Sequence, residues 1–347
     1  MTAAFDGVDA VVHAAEGYMA AADLWRAESV LGTALGGAHP NQPRLLTLYA
    51  RVKLGQGDHA AAANSAHAAL SVAPDDEYAM RVYSHALELQ GRIPEALTVA
   101  WQTATTHPHS HLAHHTYARM LSDARRPVEA MTAVNEALRL NPQDVDALNL
   151  RGDIRVALGE FDAAEADYRH ALQLNPRDAS VVHNLATLEH QRGRRWSAVR
   201  GFVVAERLDP RFGDVVRRNV GVVVSGVLRR SAWVVLLVTI AVVATYDIGE
   251  DGGTTVIPRI VAGVGAVLLV VMSIPVLRNV PGPMLTSILR QHKILVVRVL
   301  QVLAAVVLGA VTAVVGALTV PGVAAGFLLL SVPVVMIVGA VTGERVW

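Results

Sequence analysis

The sequence of 347 residues contains no cysteine, only two lysines against 28 arginines, and few aromatic residues (5%). The lack of cysteine excludes disulfide bonds, thiolate metal sites, iron–sulfur clusters and cysteine nucleophiles. Charged residues are also scarce at 17% of the chain, whereas hydrophobic residues make up 52%. Because the mean hydropathy of +0.37 is high for a soluble protein, we expect part of the chain to face lipid. The preference for arginine over lysine is typical of a GC-rich bacterial genome.

The apolar residues are concentrated in the last third of the chain. Residues 1–230 hold 24 basic and 26 acidic side chains, but residues 231–347 hold only 6 and 4. Four apolar stretches approach the ~20 residues that a helix needs to cross the hydrocarbon core of a bilayer. They are residues 232–246, 260–277, 299–318 and 321–341. We therefore predict a transmembrane domain with four spans over residues 229–347.

Basic residues close to a span resist translocation, so their placement predicts the orientation. They precede the first span and connect the second to the third, at Arg217, Arg218, Arg229, Arg230, Arg278, Arg290, Lys293 and Arg298. The first connection instead holds Asp247, Glu250 and Asp251 beside Arg259. The amino terminus shows neither the basic nor the apolar region of a signal peptide. We expect a multi-pass protein of the cell's inner (cytoplasmic) membrane, with its amino-terminal domain in the cytoplasm.

The spans carry no charge near their centres, where the polar residues are Thr239, Ser273 and Thr312. Because transport through a bilayer uses ionisable groups at that depth, this pattern favours anchoring over transport. The small residues Gly263 and Gly265 are expected to allow close helix packing. Residues 283–298 are expected to lie in the membrane interface, with three apolar side chains in lipid and two basic ones toward phosphate. These side chains are Ile288, Leu289 and Ile294, and Arg290 and Lys293.

A fixed period of 34 residues organises the first two thirds of the chain. Six prolines follow it, at Pro40, Pro74, Pro108, Pro142, Pro176 and Pro210. Small residues recur in the same register, as the pairs Ala50 and Ala62, Ser84 and Ala96, Ala118 and Ala130, Gly152 and Ala164, and Ala186 and Ala198. A third small residue recurs at Ala69, Thr103, Ala137, Ala171 and Ala205. The pattern resembles the tetratricopeptide repeat, a helix-turn-helix unit, over roughly residues 8–212.

The resemblance implies an all-α fold, a solenoid of about six repeats over residues 1–228, followed by the four transmembrane helices. In each repeat the proline ends helix B, and residues 212–228 are expected to form a helix that closes the stack. Glycine is expected in the turn between helices A and B, at Gly57, Gly91, Gly159 and Gly193. Arg125 takes that place in the fourth repeat, where we expect a less tight turn. The first repeat fits with one extra residue near residues 35–38.

The resemblance also implies that places 2, 5, 9, 12 and 13 of helix A face a groove that binds a protein or peptide. At places 5 and 9 the chain has Arg81, His85, His115, Arg119, Asn149, Asp153, His183 and Thr187. These side chains are polar and of mixed sign, which suits recognition of a peptide backbone. The alternative is that they are ordinary solvated helix faces.

Sequence motifs for catalysis are lacking: no phosphate-binding loop, zinc-protease motif or nucleophile elbow occurs. We therefore expect no enzymatic activity and no cofactor. His111 and His115 stand one helical turn apart and could bind a metal, although solvated or packing roles are the favoured interpretation. The net charge of −2 over residues 1–230 disfavours nucleic acid.

Two functions remain open at this point. The first is a membrane-anchored scaffold or adaptor that binds protein partners on the cytoplasmic face through the groove. The alternative is an accessory subunit of a membrane transport or export complex, in which other chains would share the spans.

Overall fold

A computed structural model describes residues 7–247, 256–315 and 332–335, and the described residues contain helices and no strands. The chain divides into two compact units, Met1–Pro176 and Arg177–Trp347. The all-α prediction is confirmed. The predicted boundary between residues 228 and 229 lies about one and a half repeats after this division. The two differ because the sixth repeat packs against the apolar helices that follow it.

The first unit consists of ten helices that pair into five helix-turn-helix repeats. They are α1 (Val8–Ala20), α2 (Leu24–Gly36), α3 (Pro43–Gly55), α4 (His59–Val72), α5 (Glu77–Leu89), α6 (Ile93–Thr106), α7 (His111–Asp123), α8 (Pro127–Leu140), α9 (Val145–Leu158) and α10 (Phe161–Leu174). Several begin at a side chain that accepts a hydrogen bond from a backbone N–H of the first turn, as Asp76 does from Ala79 at 2.8 Å. Such capping satisfies donors that a helix leaves free at its start.

Small residues allow the two helices of each repeat to pack closely, as the sequence predicts. All five predicted pairs and the third small residue of each repeat are buried. Ser84 adds a bond between helices, because its Oγ donates to the carbonyl oxygen of Ala96 at 3.0 Å. Gly152 shows how tight the contact is, since a Cβ built there would lie 2.4 Å from Cε1 of Tyr168.

The turns between helices A and B share one left-handed residue. Gly57, Gly91, Gly159 and Gly193 have φ between 76° and 81°. Arg125 has the same conformation with φ of 59°, so the prediction of a less tight turn is wrong. The hydrogen bond from Arg126 N to Leu121 O, at 2.9 Å, closes this turn as the equivalent bond does in the glycine-containing repeats. The left-handed backbone conformation of Arg125 therefore destabilises the fourth repeat relative to one with glycine at this place.

The first repeat holds its extra residue just after α2, where the sequence predicts it. Helix α2 ends at Gly36, and Gly37 leaves the helical conformation with φ of −121° and ψ of −102°. The amide of His39 then donates to Ala34 O at 2.9 Å.

The second unit begins with the sixth repeat and continues into long apolar helices. Its helices are α11 (Ala179–Gln191), α12 (Arg195–Leu208), α13 (Gly213–Asp247), α14 (Val256–Asn279), α15 (Gly282–Gln291) and α16 (Lys293–Val315). The predicted closing helix and the first predicted span form one continuous helix, α13, of 35 residues. No proline or glycine pair interrupts the chain at residues 228–232, so the helix runs on.

A shared hydrophobic core joins the sixth repeat to the base of the apolar helices. Phe202 of α12 is packed in one cluster with Val220 of α13, Val276 of α14, Ile288 of α15 and Leu295 of α16. This cluster explains why the sixth repeat belongs to the second compact unit. It also corrects the prediction for residues 283–298: they form α15 and the start of α16, and Ile288 is buried in protein rather than in lipid.

Three helices of the second unit are long and apolar enough to cross a membrane, over Pro210–Ala244, Val256–Asn279 and Lys293–Val314. The fourth predicted span, residues 321–341, lies outside the described residues except for 332–335. Glycines bring the three helices together: a Cβ at Gly265 would lie 2.4 Å from Val238 Cγ1, and one at Gly309 would lie 2.8 Å from Ala262 O. Close packing is therefore the role of Gly265.

Candidate functional site

The first unit contains a cleft of about 920 Å³ that is lined mainly by the A helices of its first four repeats. Four of the predicted groove residues line it together, namely Arg81, His85, His115 and Arg119. Apolar side chains, including Leu54, Tyr78 and Leu112, form part of the same wall. The cleft therefore offers both hydrogen-bonding groups and apolar surface, which is the usual composition of a ligand site.

A network of charged side chains fixes one end of the cleft. Arg119 Nη1 lies 2.8 Å from Glu88 Oε2 and 3.2 Å from His85 Nδ1. His85 Nδ1 lies 2.8 Å from the same Glu88 oxygen. Helices α5 and α7 belong to successive repeats, so this network ties together two neighbouring repeats. It leaves Arg119 partly exposed in the cleft.

The carboxyl groups at this end have opposite pKa shifts. Burial of Glu88 opposes its ionisation, but the hydrogen bond with His85 and the charge of Arg119 outweigh burial and lower its pKa. Loss of hydration, followed by the negative charge of Glu88, raises the pKa of the neighbouring Asp123 to about 6. Near neutral pH the pair therefore carries less negative charge than two ordinary carboxylates.

Tyr78 also lines the cleft, between two arginine side chains that do so too. The guanidinium carbons of Arg51 and Arg81 lie 5.6 Å and 5.8 Å from its ring centroid, within the range of cation–π attraction. Arg81 also lies 3.3 Å from Glu77, which accepts a 2.7 Å hydrogen bond from Ser110. Both arginines line the cleft, and their contacts with the Tyr78 ring restrict the positions of their guanidinium groups.

Histidines of the cluster at residues 107–115 contact backbone and side-chain groups where successive repeats meet. His107 and His114 contact the backbone carbonyls of Asp75 and Pro108 at 2.9 Å and 3.0 Å. His111 Nδ1 lies 3.2 Å from the carboxylate of Asp144, and loss of hydration lowers the pKa of His115 in the cleft. Within the described ranges, no group of three or more His, Asp or Glu side chains could hold a metal ion.

The remaining predicted residues lie away from this cleft wall. Asn149 and Asp153 are on α9, where Asp153 accepts a 2.6 Å hydrogen bond from the hydroxyl of Tyr168. Desolvation raises the pKa of Asp153 to about 6. His183 and Thr187 are on α11 in the second unit, where the His183 ring lies 5.4 Å and 5.2 Å from the rings of Phe202 and Phe212.

The cleft and the charged network at its end also include residues that the sequence analysis did not single out. Glu88 stands at place 12 of helix A, Tyr78 at place 2, and Arg51 at place 9 of the second repeat. All three follow the same 34-residue register as the predicted residues. The 34-residue register could therefore have predicted these residues as well, but the prediction was limited to places 5 and 9 of the third to sixth repeats.

A family model for the tetratricopeptide repeat matches residues 48–106 and 118–179. The chain therefore contains tetratricopeptide repeats. The matched residues cover parts of the second to fifth repeats, and they include the cleft residues Arg81, His85 and Arg119 but not His115. Tetratricopeptide repeats as a class bind proteins or peptides, and the apolar helices of the second unit fit a membrane domain.

Solved structures similar to this chain include one with a TM-score above 0.5, which agrees with the repeats at the level of the fold. The APC/C hetero-tetramer Cut9–Hcn1 matches with a TM-score of 0.56 and 14% identity, over 63% of this chain and 43% of that chain. A tetratricopeptide repeat protein of Thermus thermophilus matches with a TM-score of 0.48 and 19% identity, over 52% of this chain and 97% of that chain.

One curated relative is Protein O-mannosyl-transferase Tmtc3 of Drosophila melanogaster, which is 32% identical over 109 residues. The alignment covers 31% of this chain and 12% of the relative. The chain thus spans about an eighth of the length of that relative.

Proposed function

We propose that this protein is a membrane-anchored scaffold that binds a protein partner in the cleft of its first unit. The observation that carries the proposal is the convergence of Arg81, His85, His115 and Arg119 on one cleft. Guanidinium and imidazole groups donate hydrogen bonds to carbonyl and carboxylate oxygens, which an extended peptide presents at regular intervals. The apolar wall at Tyr78 and Leu112 would accept alternate side chains.

The membrane anchor is supported by the surface of the apolar helices. Leu277 of α14 is 70% exposed, and exposed valines and leucines continue along α14 and α16. In the spans, the hydroxyls of Thr239, Ser273 and Thr312 each donate to a carbonyl of their own helix at 2.7–2.9 Å. Because these hydroxyls are satisfied locally, the spans resemble an anchor more than a polar pathway. The arginines that flank the spans favour an orientation with the repeats in the cytoplasm, at the inner membrane.

We infer that the protein acts by binding rather than by catalysis. The transferase name of the Drosophila relative belongs to a protein of which the alignment covers 12%, so that activity is not proposed for this chain. The first unit has 13 basic and 21 acidic residues, and the resulting net charge of −8 argues against a nucleic-acid partner.

The proposal is tested by capture of partners from membranes with the full-length protein. Arg119→Glu combined with His115→Ala changes two residues that line the cleft, and we expect it to lose the captured proteins. The matched control is Arg139→Glu combined with Gln143→Ala, since Arg139 is exposed on α8 and pairs with its own neighbour Glu136. Equal recovery of partners by the groove variant and the wild type would remove the cleft from the proposed function.

A further inference from the structure

Exposed basic side chains stand at the base of all the apolar helices. We call six of them the basic collar: Arg200, Arg229, Arg230, Arg278, Arg290 and Lys293. The continuous exposed apolar surface ends at the collar. Apart from Val215 near its start, α13 exposes large apolar side chains from Trp233 onward, and this surface stops at Leu277 in α14 and begins again at Val296 in α16. The collar therefore marks the transition from lipid-facing to water-facing surface.

Two layers of the core give the depth of the collar. One hydrophobic cluster includes Val224, Val276 and Leu295, and the next along the helices includes Ala232, Leu269 and Val302. At ~1.5 Å per residue, Arg278 and Lys293 lie about 3 Å outside the first layer, and Arg229 lies about 8 Å inside it. The collar thus extends over about 10 Å along the helices. An arginine side chain is long enough to bring each of these charges into the polar headgroup region of one leaflet.

Few acidic residues are available to neutralise the collar. After Asp214 the sequence contains four, of which Asp247, Glu250 and Asp251 follow the first span and Glu344 follows the last apolar stretch. In the part of the chain that the structure describes, no ion pair links a collar residue to a carboxylate. Arg217, just before the collar, does pair with Glu206 at 3.3 Å and with Asp214 at 2.5 Å.

The collar is also assembled from different helices. Arg200 of the sixth repeat donates from Nη1 to Asn279 Oδ1 at 3.2 Å, which holds its guanidinium beside the end of α14 and next to Arg278. Arg290 and Lys293 stand on either side of the break between α15 and α16. Like charges on neighbouring helices repel each other, and an anion bound between them would offset that repulsion.

We propose that the basic collar binds the headgroups of anionic phospholipids in the surrounding membrane. Guanidinium groups match phosphate oxygens in a two-point geometry, and exposed Trp233 suits the membrane–water interface next to them. The inference rests on the membrane anchoring proposed above and is independent of the cleft. It adds lipid selectivity: the protein prefers phosphatidylglycerol to phosphatidylcholine.

The test uses full-length protein in a mild nonionic detergent, titrated with phosphatidylglycerol or phosphatidylcholine of the same acyl chains, with bound lipid counted by native mass spectrometry. One variant changes all six collar residues to glutamine. The matched control changes six exposed arginines of the first unit to glutamine: Arg26, Arg44, Arg92, Arg126, Arg139 and Arg169. A third variant changes the five collar arginines to lysine and so keeps the charge.

We expect the wild type, the control and the lysine variant to bind phosphatidylglycerol at least about tenfold more tightly than phosphatidylcholine. Each neutralised collar residue lowers that preference by up to about fivefold, since one basic residue near an anionic surface contributes at most about 1 kcal/mol, and the sixfold variant should show no preference. If the sixfold variant does not fold, Arg229→Gln with Arg230→Gln, and Arg278→Gln with Lys293→Gln, must each reduce the preference.

Three results would overturn the inference: equal affinity of the wild type for both lipids, unchanged preference in the collar variants, or displacement of the lipid by millimolar glycerol phosphate. Extraction of the wild-type protein from membranes by alkaline carbonate would instead refute the anchoring itself. The two failures are therefore distinguishable.

Discussion

The fifth and sixth repeats use the same pattern in different surroundings. Tyr168 and Phe202 occupy the same place of the 34-residue period, and each is 1% exposed. Tyr168 donates its hydroxyl proton to Asp153 within the first unit, whereas Phe202 contacts His183 and the base of the apolar helices. The period thus determines which side chain is buried, but the neighbouring helices determine what it does.

The same contrast extends to charge. The first unit has a net charge of −8, and residues 177–347, with 17 basic and 9 acidic side chains, have a net charge of +8. Asp167 in the fifth repeat corresponds to Gly201 in the sixth. A buried ion cluster in one repeat is therefore replaced by close apolar packing in the next, next to the membrane helices.

The largest expected effect comes from Phe202→Ala. Removing this ring opens a cavity in the core shared by α12, α13 and α15, and we expect the free energy of unfolding to fall by about 3–5 kcal/mol. Chemical unfolding of the full-length protein in detergent measures this loss. The exposed neighbour Val204 is the control, because its replacement by alanine is expected to change little.

Hydrogen exchange makes the comparison sharper. In Phe202→Ala the amides of α13 and α15 should exchange faster, whereas in Tyr168→Ala the increase should be confined to α9 and α10. Identical exchange patterns in the two variants would show that the two repeats do not differ in their partners.

Asp167→Asn tests the ion cluster that the sixth repeat lacks. Asp167 is 3% exposed and lies 2.6 Å from Nη2 of Arg151 and 2.6 Å from Nη1 of Arg155. Removing its charge leaves two half-buried guanidinium groups without their carboxylate, and we expect a loss of about 3 kcal/mol in thermal or chemical unfolding. Glu136→Gln, which breaks the exposed pair with Arg139, should lower the stability far less, because solvent screens that pair.

Gly152→Ala tests which of the two facing helices in a repeat needs a glycine at their contact. The new Cβ would meet Tyr168 at 2.4 Å, so we expect a loss of about 1–3 kcal/mol in the same unfolding measurement. In the sixth repeat that place is Ala186, and Gly201 of the facing helix provides the space instead, since its Cβ would lie 2.7 Å from the Ala186 methyl. Gly17→Ala, with open space around it, should be stabilising.

Asp153→Asn tests a charge whose place is taken by Thr187 in the sixth repeat. Desolvation raises the folded-state pKa of Asp153 to about 6 from 3.8, so this group favours folding most below about pH 4 and progressively less up to about pH 6. The asparagine variant should therefore gain about 1 kcal/mol relative to wild type at pH 7.5 and nothing at pH 4. An equal difference at both pH values would contradict the assigned shift.

The smallest effect concerns the turns. Arg125 has φ of 59°, whereas the equivalent Gly193 in the sixth repeat has φ of 77°. Arg125→Gly should raise the thermal stability of the first unit by about 1 kcal/mol because the left-handed conformation is unstrained for glycine. Arg126→Gly, at a residue with φ of −114°, should give no gain.

The sequence predicts the internal packing of the repeats well because that packing is periodic. Every small residue chosen from the 34-residue register is buried, and Arg81, His85, His115 and Arg119 lie in one cleft. Contacts outside the period were not accessible in this way. The burial of Ile288 depends on helices α12 and α13, more than 60 residues earlier in the chain, and its local pattern is that of an ordinary amphipathic helix.

The site shows the same limit. The network of Arg119, His85 and Glu88 crosses between repeats, so a list of places 5 and 9 does not reveal that Glu88 at place 12 completes it. Likewise, nothing near His183 in the sequence shows that Phe212 will pack on its ring.

The most direct test of the account is the location of the repeats relative to the membrane. Because the chain contains no cysteine, single cysteines introduced at exposed Thr132 of α8 and at Thr254, between the first two spans in the sequence, can be labelled individually in intact cells. With a membrane-impermeant maleimide we expect rapid labelling at position 254 and labelling at position 132 only after the cells are permeabilised. Labelling of position 132 from outside intact cells would contradict a scaffold that presents its cleft to cytoplasmic partners.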